Sequence, residues 1–244
     1  MRYGIIADIH ANLEALTTSL KFLDEQKVDQ ILCLGDVIGY NADPSECIRL
    51  VRERCSAVIQ GNHERMVLGA SLYGVRKETL EATEWTRSQL SPDELKYIEG
   101  LADEAKVGER ILLVHGSPRD KDEYILSTDA IRENVQTLKA RYPEVKVCFF
   151  GHSHYPMVIG APEVHTRFHE TRKLDLAHDR LYLINPGSVG QPRDGCPLSS
   201  FAIFDEDAWS VTIYRQQYDI AKTQKKIIDA GIDRKLAARL DVGK

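Results

Sequence analysis

The chain has 244 residues and a formal charge of −5, enough length for one large α/β domain with a buried core and no broad basic field of the kind that follows a nucleic-acid backbone. Its apolar runs, such as Lys146 to Phe150, are strand-sized and exclude a membrane span, which needs roughly 20 residues. Cys33, Cys47, Cys55, Cys148 and Cys196 are odd in number and contain no C-x-x-C pair, so they suggest buried thiols and neither a disulfide framework nor a thiolate zinc knuckle.

Met1-Arg2-Tyr3 runs straight into a strand, which leaves no room for a signal segment and predicts a cytoplasmic protein. Tyr3 to Ala7 reads as that strand, and Leu13, Leu16, Leu20 and Leu23 then recur at helical spacing as far as Val28. Gln30 to Leu34 and Ala57 to Gln60 repeat the strand pattern around a helix over Pro44 to Arg54. Such alternation predicts a parallel sheet with its ligands beyond the C-terminal strand ends. A helical hairpin is expected over about 77–102, where Ser91-Pro92-Asp93-Glu94 supplies an N-cap and a first-turn proline. From Arg110 the pattern is mainly β: Arg110 to Val114, Val145 to Phe150, Met157 to Ile159, Arg180 to Ile184, Ser200 to Phe204 and Trp209 to Arg215. Two short helices, split by Gly231 and Asp233, are expected over Ile220 to Leu240.

Five short motifs stand at predicted strand ends: Asp8-Ile-His10, Gly35-Asp36, Gly61-Asn62-His63-Glu64, His115-Gly116 and Gly151-His152-Ser153-His154. Asp, His and Asn are ligands for divalent first-row metals, and the spacing of Asp8 and His10, or of His152 and His154, puts both side chains on one side of an extended backbone. Each motif alone is weak; the five in order are specific. H-E-x-x-H is absent, because position 67 is Val67.

In these motifs the chain resembles the calcineurin-like metallophosphoesterase superfamily, whose ordered signature is D-x-H, G-D, G-N-H-[DE], H and G-H-x-H. The likeness runs from Asp8 to about Pro192 and is greatest to small prokaryotic phosphodiesterase-type members. It implies a single α/β domain built as a four-layer αββα double β-sandwich. It also implies two divalent metals, one held by Asp8, His10, Asp36 and His154, the other by Asp36, Asn62, His115 and His152, with Asp36 bridging. Manganese is expected first; iron, zinc, nickel and cobalt suit the same ligands. Two such ions clamp a phosphate and acidify a bridging water, so that hydroxide is the expected nucleophile. His63 is then expected to face the substrate and donate to the leaving oxygen. Glu64 is expected to orient His63 or an arginine, or to lie in solvent at a helix start, and is given no catalytic role.

Protein phosphatases of the superfamily carry an arginine in the second motif, G-D-x-V-D-R-G. Here the segment reads Gly35-Asp-Val-Ile-Gly-Tyr40, and Tyr40 cannot form a bidentate guanidinium clamp. The expected substrate is therefore a phosphodiester or small nucleotide. Dinucleoside polyphosphate hydrolysis, phosphomonoester hydrolysis and a non-catalytic metal-binding scaffold stand as alternatives, and a nucleic-acid polymer is disfavoured by charge. Arg193, in Asn185-Pro-Gly-Ser-Val-Gly-Gln-Pro-Arg193, is a candidate phosphate contact. Asn12 is a candidate substrate contact or the N-cap of the first helix. His165, His169 and His178 lack metal-ligand company and read as surface histidines. The 77–102 helices and the strand-rich end can shape a pocket, a homo-oligomer contact or both.

Overall fold

The computed structural model describes residues 1–160 and 163–244. In chain order its first elements are β1 (Arg2–Ile6), α1 (Leu13–Glu25), β2 (Gln30–Cys33), α2 (Pro44–Arg54), β3 (Ala57–Val58), α3 (Asn62–Val67), α4 (Lys77–Gln89) and α5 (Pro92–Glu99). The middle comprises β4 (Glu104–Val107), β5 (Ile111–Val114), α6 (Thr128–Arg141), β6 (Val147–Phe149), β7 (Met157–Gly160), β8 (Glu163–His165) and β9 (Arg172–Asp175). The last are β10 (Tyr182–Asn185), β11 (Ser199–Asp205), β12 (Ser210–Gln216), α7 (Ile220–Asp229) and α8 (Arg234–Leu240).

The strands form two six-stranded sheets, in the orders β3-β2-β1-β11-β12-β9 and β4-β5-β6-β10-β7-β8. Side-chain alternation decides what each face meets. Tyr3 and Ile5 of β1 join Leu113, Phe149 and Ile184 of the second sheet in one core between the sheets. Ile6, next along the strand, points the other way, to Leu16, Leu20 and Leu23 of α1 and to Ile48 and Val51 of α2. On the far side Leu112, Val114 and Cys148 meet Leu138 and Tyr142 at the end of α6. The layers are thus αββα, and strands apolar on both faces follow from being covered on both.

The sheets are mixed, which corrects the parallel expectation. β1 pairs with β2, and β2 with β3, in parallel, but β11 pairs with β1 antiparallel, as do β12 with β11 and β9 with β12. The sequence patterning is blind to this because a doubly covered strand is apolar throughout in either direction. Helix α6 also falls between the strands expected at Arg110 to Val114 and Val145 to Phe150, in a stretch to which the sequence patterning assigns no element. Its apolar residues are sparse, Ile131, Val135 and Leu138 along one face, and Ser127 caps it by accepting from the Ala130 amide at 3.1 Å. Helices α4 and α5 lie within the predicted helical stretch, with Ser91 and Glu94 in a reciprocal capping box. Helices α7 and α8 fold back so that Ile227, Leu236 and Leu240 pack with Tyr40 and Ala82, which brings the end of the chain beside the second motif. Among the described residues no helix is long and apolar enough to cross a membrane.

Candidate metal centre

All five motifs sit where strands β1, β2, β3, β5 and β6 end, on one rim shared by both sheets. Asp8, His10, Asp36, His115, His152 and His154 are buried, and Asn62, at the first position of α3, is half-buried. The backbone that carries them is not extended, which corrects the reason for expecting the paired side chains to converge. Asp8 (φ 52°), His10 (φ 49°), Asp36 (φ 51°), His152 (φ 62°) and His154 (φ 59°) are all left-handed, a conformation costing a residue with a Cβ about 1–2 kcal/mol. The chain leaves each strand in tight reversals, and it is these that turn the side chains inward.

Side-chain atoms of Asp8, His10, Asp36 and His154 lie within 4.8 Å of one another, and so do those of Asp36, His115 and His152. Asn62 Oδ1 joins the second group, 3.0 Å from His115 Nε2 and 2.9 Å from His152 Nδ1. Asp36 belongs to both, its Oδ2 lying 3.7 Å from His10 Nε2 and 3.3 Å from His115 Nε2.

Hydrogen bonds at the outer edge of each ring fix what the inner edge presents. His10 Nδ1 lies 3.2 Å from the Ile38 carbonyl and His154 Nδ1 2.5 Å from the Gln191 carbonyl, so each Nδ1 carries the proton and each Nε2 a lone pair. Those two Nε2 atoms face each other at 3.1 Å. His115 Nδ1 donates to the Leu34 carbonyl at 2.7 Å, and His152 Nε2 to the Asp122 carbonyl at 3.1 Å, which turns His152 Nδ1 toward Asn62 Oδ1. Asp8 Oδ2 is buried without a hydrogen-bond donor. Lone pairs converging on lone pairs and carboxylates repel unless a cation lies between them, and nitrogen and oxygen donors of these kinds suit divalent first-row ions.

Titration follows the same charge pattern. Burial, then the Asp36 charge, pushes the Asp8 carboxyl up to about 7 against the pull of His115. Burial also lowers His152 to about 3, and His10 and His154 well below the usual histidine range. His115 alone rises, to about 9: burial opposes its charge, but Asp36, by charge and hydrogen bond, and Asp8 outweigh it. An imidazolium there is how protein groups by themselves offset the carboxylates.

Glu64 has a part that sequence reasoning missed. It is fully buried, and its carboxylate accepts from the main-chain amides of Asp36 (2.9 Å), Val37 (2.8 Å), Ile38 (3.3 Å) and Gly61 (2.8 Å). It therefore neither orients His63 nor lies in solvent; it ties the Asp36 turn to the start of α3. The close approach needs a glycine at 61, where a Cβ would fall 2.2 Å from Asp36 Oδ1. The His63 amide donates to that same oxygen at 2.8 Å.

The His63 ring stands edge-on to His10, with centroids 4.7 Å apart, and tilts against Tyr40 at 4.4 Å. Burial lowers its pKa to about 4, so it is a neutral imidazole with one N–H. Asn12 takes the N-cap place that its sequence position allowed: Oδ1 accepts from the Ala15 amide at 3.1 Å, and Nδ2 donates to the Gly190 carbonyl at 2.9 Å. His169 and His178 are exposed and His165 is half-buried on β8.

A cavity of about 360 Å³ opens beside the cluster, walled by Asn62, His63, Tyr40 and Arg193 and by two residues that no motif marks, Arg76 and Arg239. Arg193 lies with its guanidinium carbon 5.9 Å from the centre of the Tyr40 ring, and its Nη2 reaches Gln191 Oε1 at 3.2 Å. A guanidinium from the other half of the chain thus lies against Tyr40, the second-motif residue that cannot itself supply one.

The calcineurin-like phosphoesterase superfamily domain matches residues 1–208. A protein of Methanocaldococcus jannaschii is 37% identical over 247 residues, covering 99% of this chain and 98% of that one. The structure of a metallophosphoesterase from Sphaerobacter thermophilus is 38% identical with a TM-score of 0.89, covering 100% of this chain and 99% of that one. A hypothetical protein from Pyrococcus horikoshii shares the fold at 20% identity and a TM-score of 0.79, covering 100% and 98% of the two chains.

Proposed function

The chain belongs to the calcineurin-like phosphoesterase superfamily, and from that premise we propose that it hydrolyses phosphodiester or nucleotide P–O bonds at a binuclear metal centre. The observation that carries the reading is the pair of converging donor groups that share Asp36. Asp8, His10, Asp36 and His154 would hold one divalent cation and Asp36, Asn62, His115 and His152 the other, with manganese the first choice among first-row ions. Bound there, such ions supply Lewis-acid polarisation of a phosphoryl oxygen and a water acidified toward neutrality.

The chain's own groups do the rest. His63 lines the cavity wall, and its ring N–H donates to the leaving oxygen as charge develops there. Arg193 takes a non-bridging phosphate oxygen with the donors that Tyr40 and Gln191 leave pointing inward. Glu64 and the left-handed turns hold the donors in place before substrate arrives, so little reorganisation accompanies the reaction.

Titration of the metal-free protein with Mn²⁺, alongside turnover of an aryl phosphodiester, an aryl monoester, a cyclic nucleotide and a dinucleoside polyphosphate, tests the reading. Two equivalents of Mn²⁺ and metal-dependent hydrolysis are expected, with both lost in Asp36→Ala. Full activity of Asp36→Ala, or no hydrolysis across the panel, refutes it.

A further inference from the structure

We infer that the cavity beside the metal centre is a polyphosphate subsite, so that the substrate carries a phosphoanhydride chain, as in a nucleoside di- or triphosphate, in addition to the phosphoryl group that reacts. This rests on the hydrolase reading above and narrows its substrate class.

Three arginines line one cavity of about 360 Å³. They come from distant parts of the fold: Arg76 at the N-cap position of α4, Arg193 from the loop after β10, and Arg239 from α8. Among the described residues no Asp or Glu carboxylate pairs with any of them, although most other arginines of the chain have such a partner. Arg193 Nε is buried with no hydrogen-bond partner at all. Arg239 spends one donor on the main-chain oxygen of Lys244 at 2.5 Å. Their mutual repulsion is felt by Arg239, whose pKa is lowered by burial and then by Arg193 and Arg76.

A solvated basic surface needs no such convergence; a ligand with several negative charges does. The reacting phosphoryl group must lie on the metal-ligand side of the cavity, by Asn62 and His63. A diester has only that one charge, and the centre and Arg193 take it, leaving Arg76 and Arg239 uncompensated. A phosphoanhydride chain places further anionic oxygens along the wall, each a match for the planar fork of an arginine.

The test measures binding of methylenediphosphonate and methylphosphonate to the Mn²⁺-loaded protein by titration calorimetry, in the wild type and in Arg76→Ala/Arg239→Ala, with melting and metal content checked for both. The wild type is expected to prefer the diphosphonate by about tenfold or more, since each charge-assisted hydrogen bond contributes on the order of one decade or above. In the double variant that preference collapses, and the ratio of kcat/KM for a nucleoside triphosphate to that for an aryl diester falls by a similar factor. A folded, metal-loaded double variant with the wild-type preference overturns the inference. Aryl diester hydrolysis with no diphosphonate preference in the wild type sinks the subsite and leaves the hydrolase reading standing. Preference without hydrolysis of any ester does the reverse.

Discussion

Replacing Glu64 by glutamine separates a structural clamp from a solvent-facing carboxylate. Oε1 accepts from Val37 and Ile38, and Oε2 from Asp36 and Gly61. Glutamine keeps one acceptor oxygen and turns the other into an NH₂ that faces two amide donors. Two buried N–H groups then lose their acceptor and meet a donor instead, at about 1–3 kcal/mol each, or about 2–6 kcal/mol together. For a chain of this length that corresponds to a melting temperature lower by roughly 5–20 °C. Because the Asp36 and Gly61 amides are the pair most affected if the amide nitrogen takes the Oε2 position, the damage falls on the turn that holds Asp36. Differential scanning calorimetry of wild type and Glu64→Gln, followed by Mn²⁺ titration of both, reads the two effects. Melting within about 2 °C of the wild type, together with unchanged Mn²⁺ affinity, would refute the clamp.

His63→Asn is expected to retain the wild-type Mn²⁺ stoichiometry while kcat falls by about 100-fold or more; an unchanged kcat removes His63 from the reaction. Gly39 has φ +89°, and a Cβ there would sit 2.3 Å from His63 Nδ1, so Gly39→Ala should displace the ring and lower kcat by about 10- to 100-fold, with metal content unaltered. Away from the site, Lys226 Nζ lies 2.8 Å from both Glu14 and Asp43. Burial alone would raise Glu14, but hydrogen bonds from Lys226 and Lys222 hold it below 4.5, so its stabilising contribution is present above that pH and lost as pH falls through the folded-state value. Lys226→Met, discounted for partial exposure, should cost about 1–3 kcal/mol at pH 7 and less at pH 4, where the stranded carboxylates take up protons; equal losses in denaturant melts at the two pH values would contradict this.

The residues of the two converging donor groups were legible because the chemistry they suit leaves few substitutes, and because each motif follows a short apolar run. Their backbone was not: Asp8-Ile9-His10 has the alternation of a strand, and only the contact between loops, such as Asp8 N–H to the Gly35 carbonyl and His10 N–H to the Asp36 carbonyl, forces the left-handed turns. Helix α6 escaped because Asn134 shares its buried face with Leu138, which thins the periodic apolar signal. Glu64 stands next to His63, yet its role is set by amides 26 to 28 residues away. Arg193 stood out as a candidate from its turn-rich loop, but its place against the Tyr40 ring did not, because the two are 153 residues apart and only the fold brings them together.

That distribution divides the site by the elements that build it. The cluster around Asp36 lies on loops pinned at the ends of strands in both sheets, and Glu64 ties two of those loops together, so its geometry depends on the central core. Arg76 and Arg239 stand on helices whose attachment is a separate apolar cluster, Tyr40 and Ala82 against Ile227, Leu236 and Leu240. Loosening that cluster shifts Arg76 and Arg239 directly, and Arg193 through the Tyr40 ring beneath it, while the strand ends keep their register. Under the proposed function, changes in the outer helices would act on which ester is held, and changes along the Asp36–Glu64 contact on whether the donor groups converge at all.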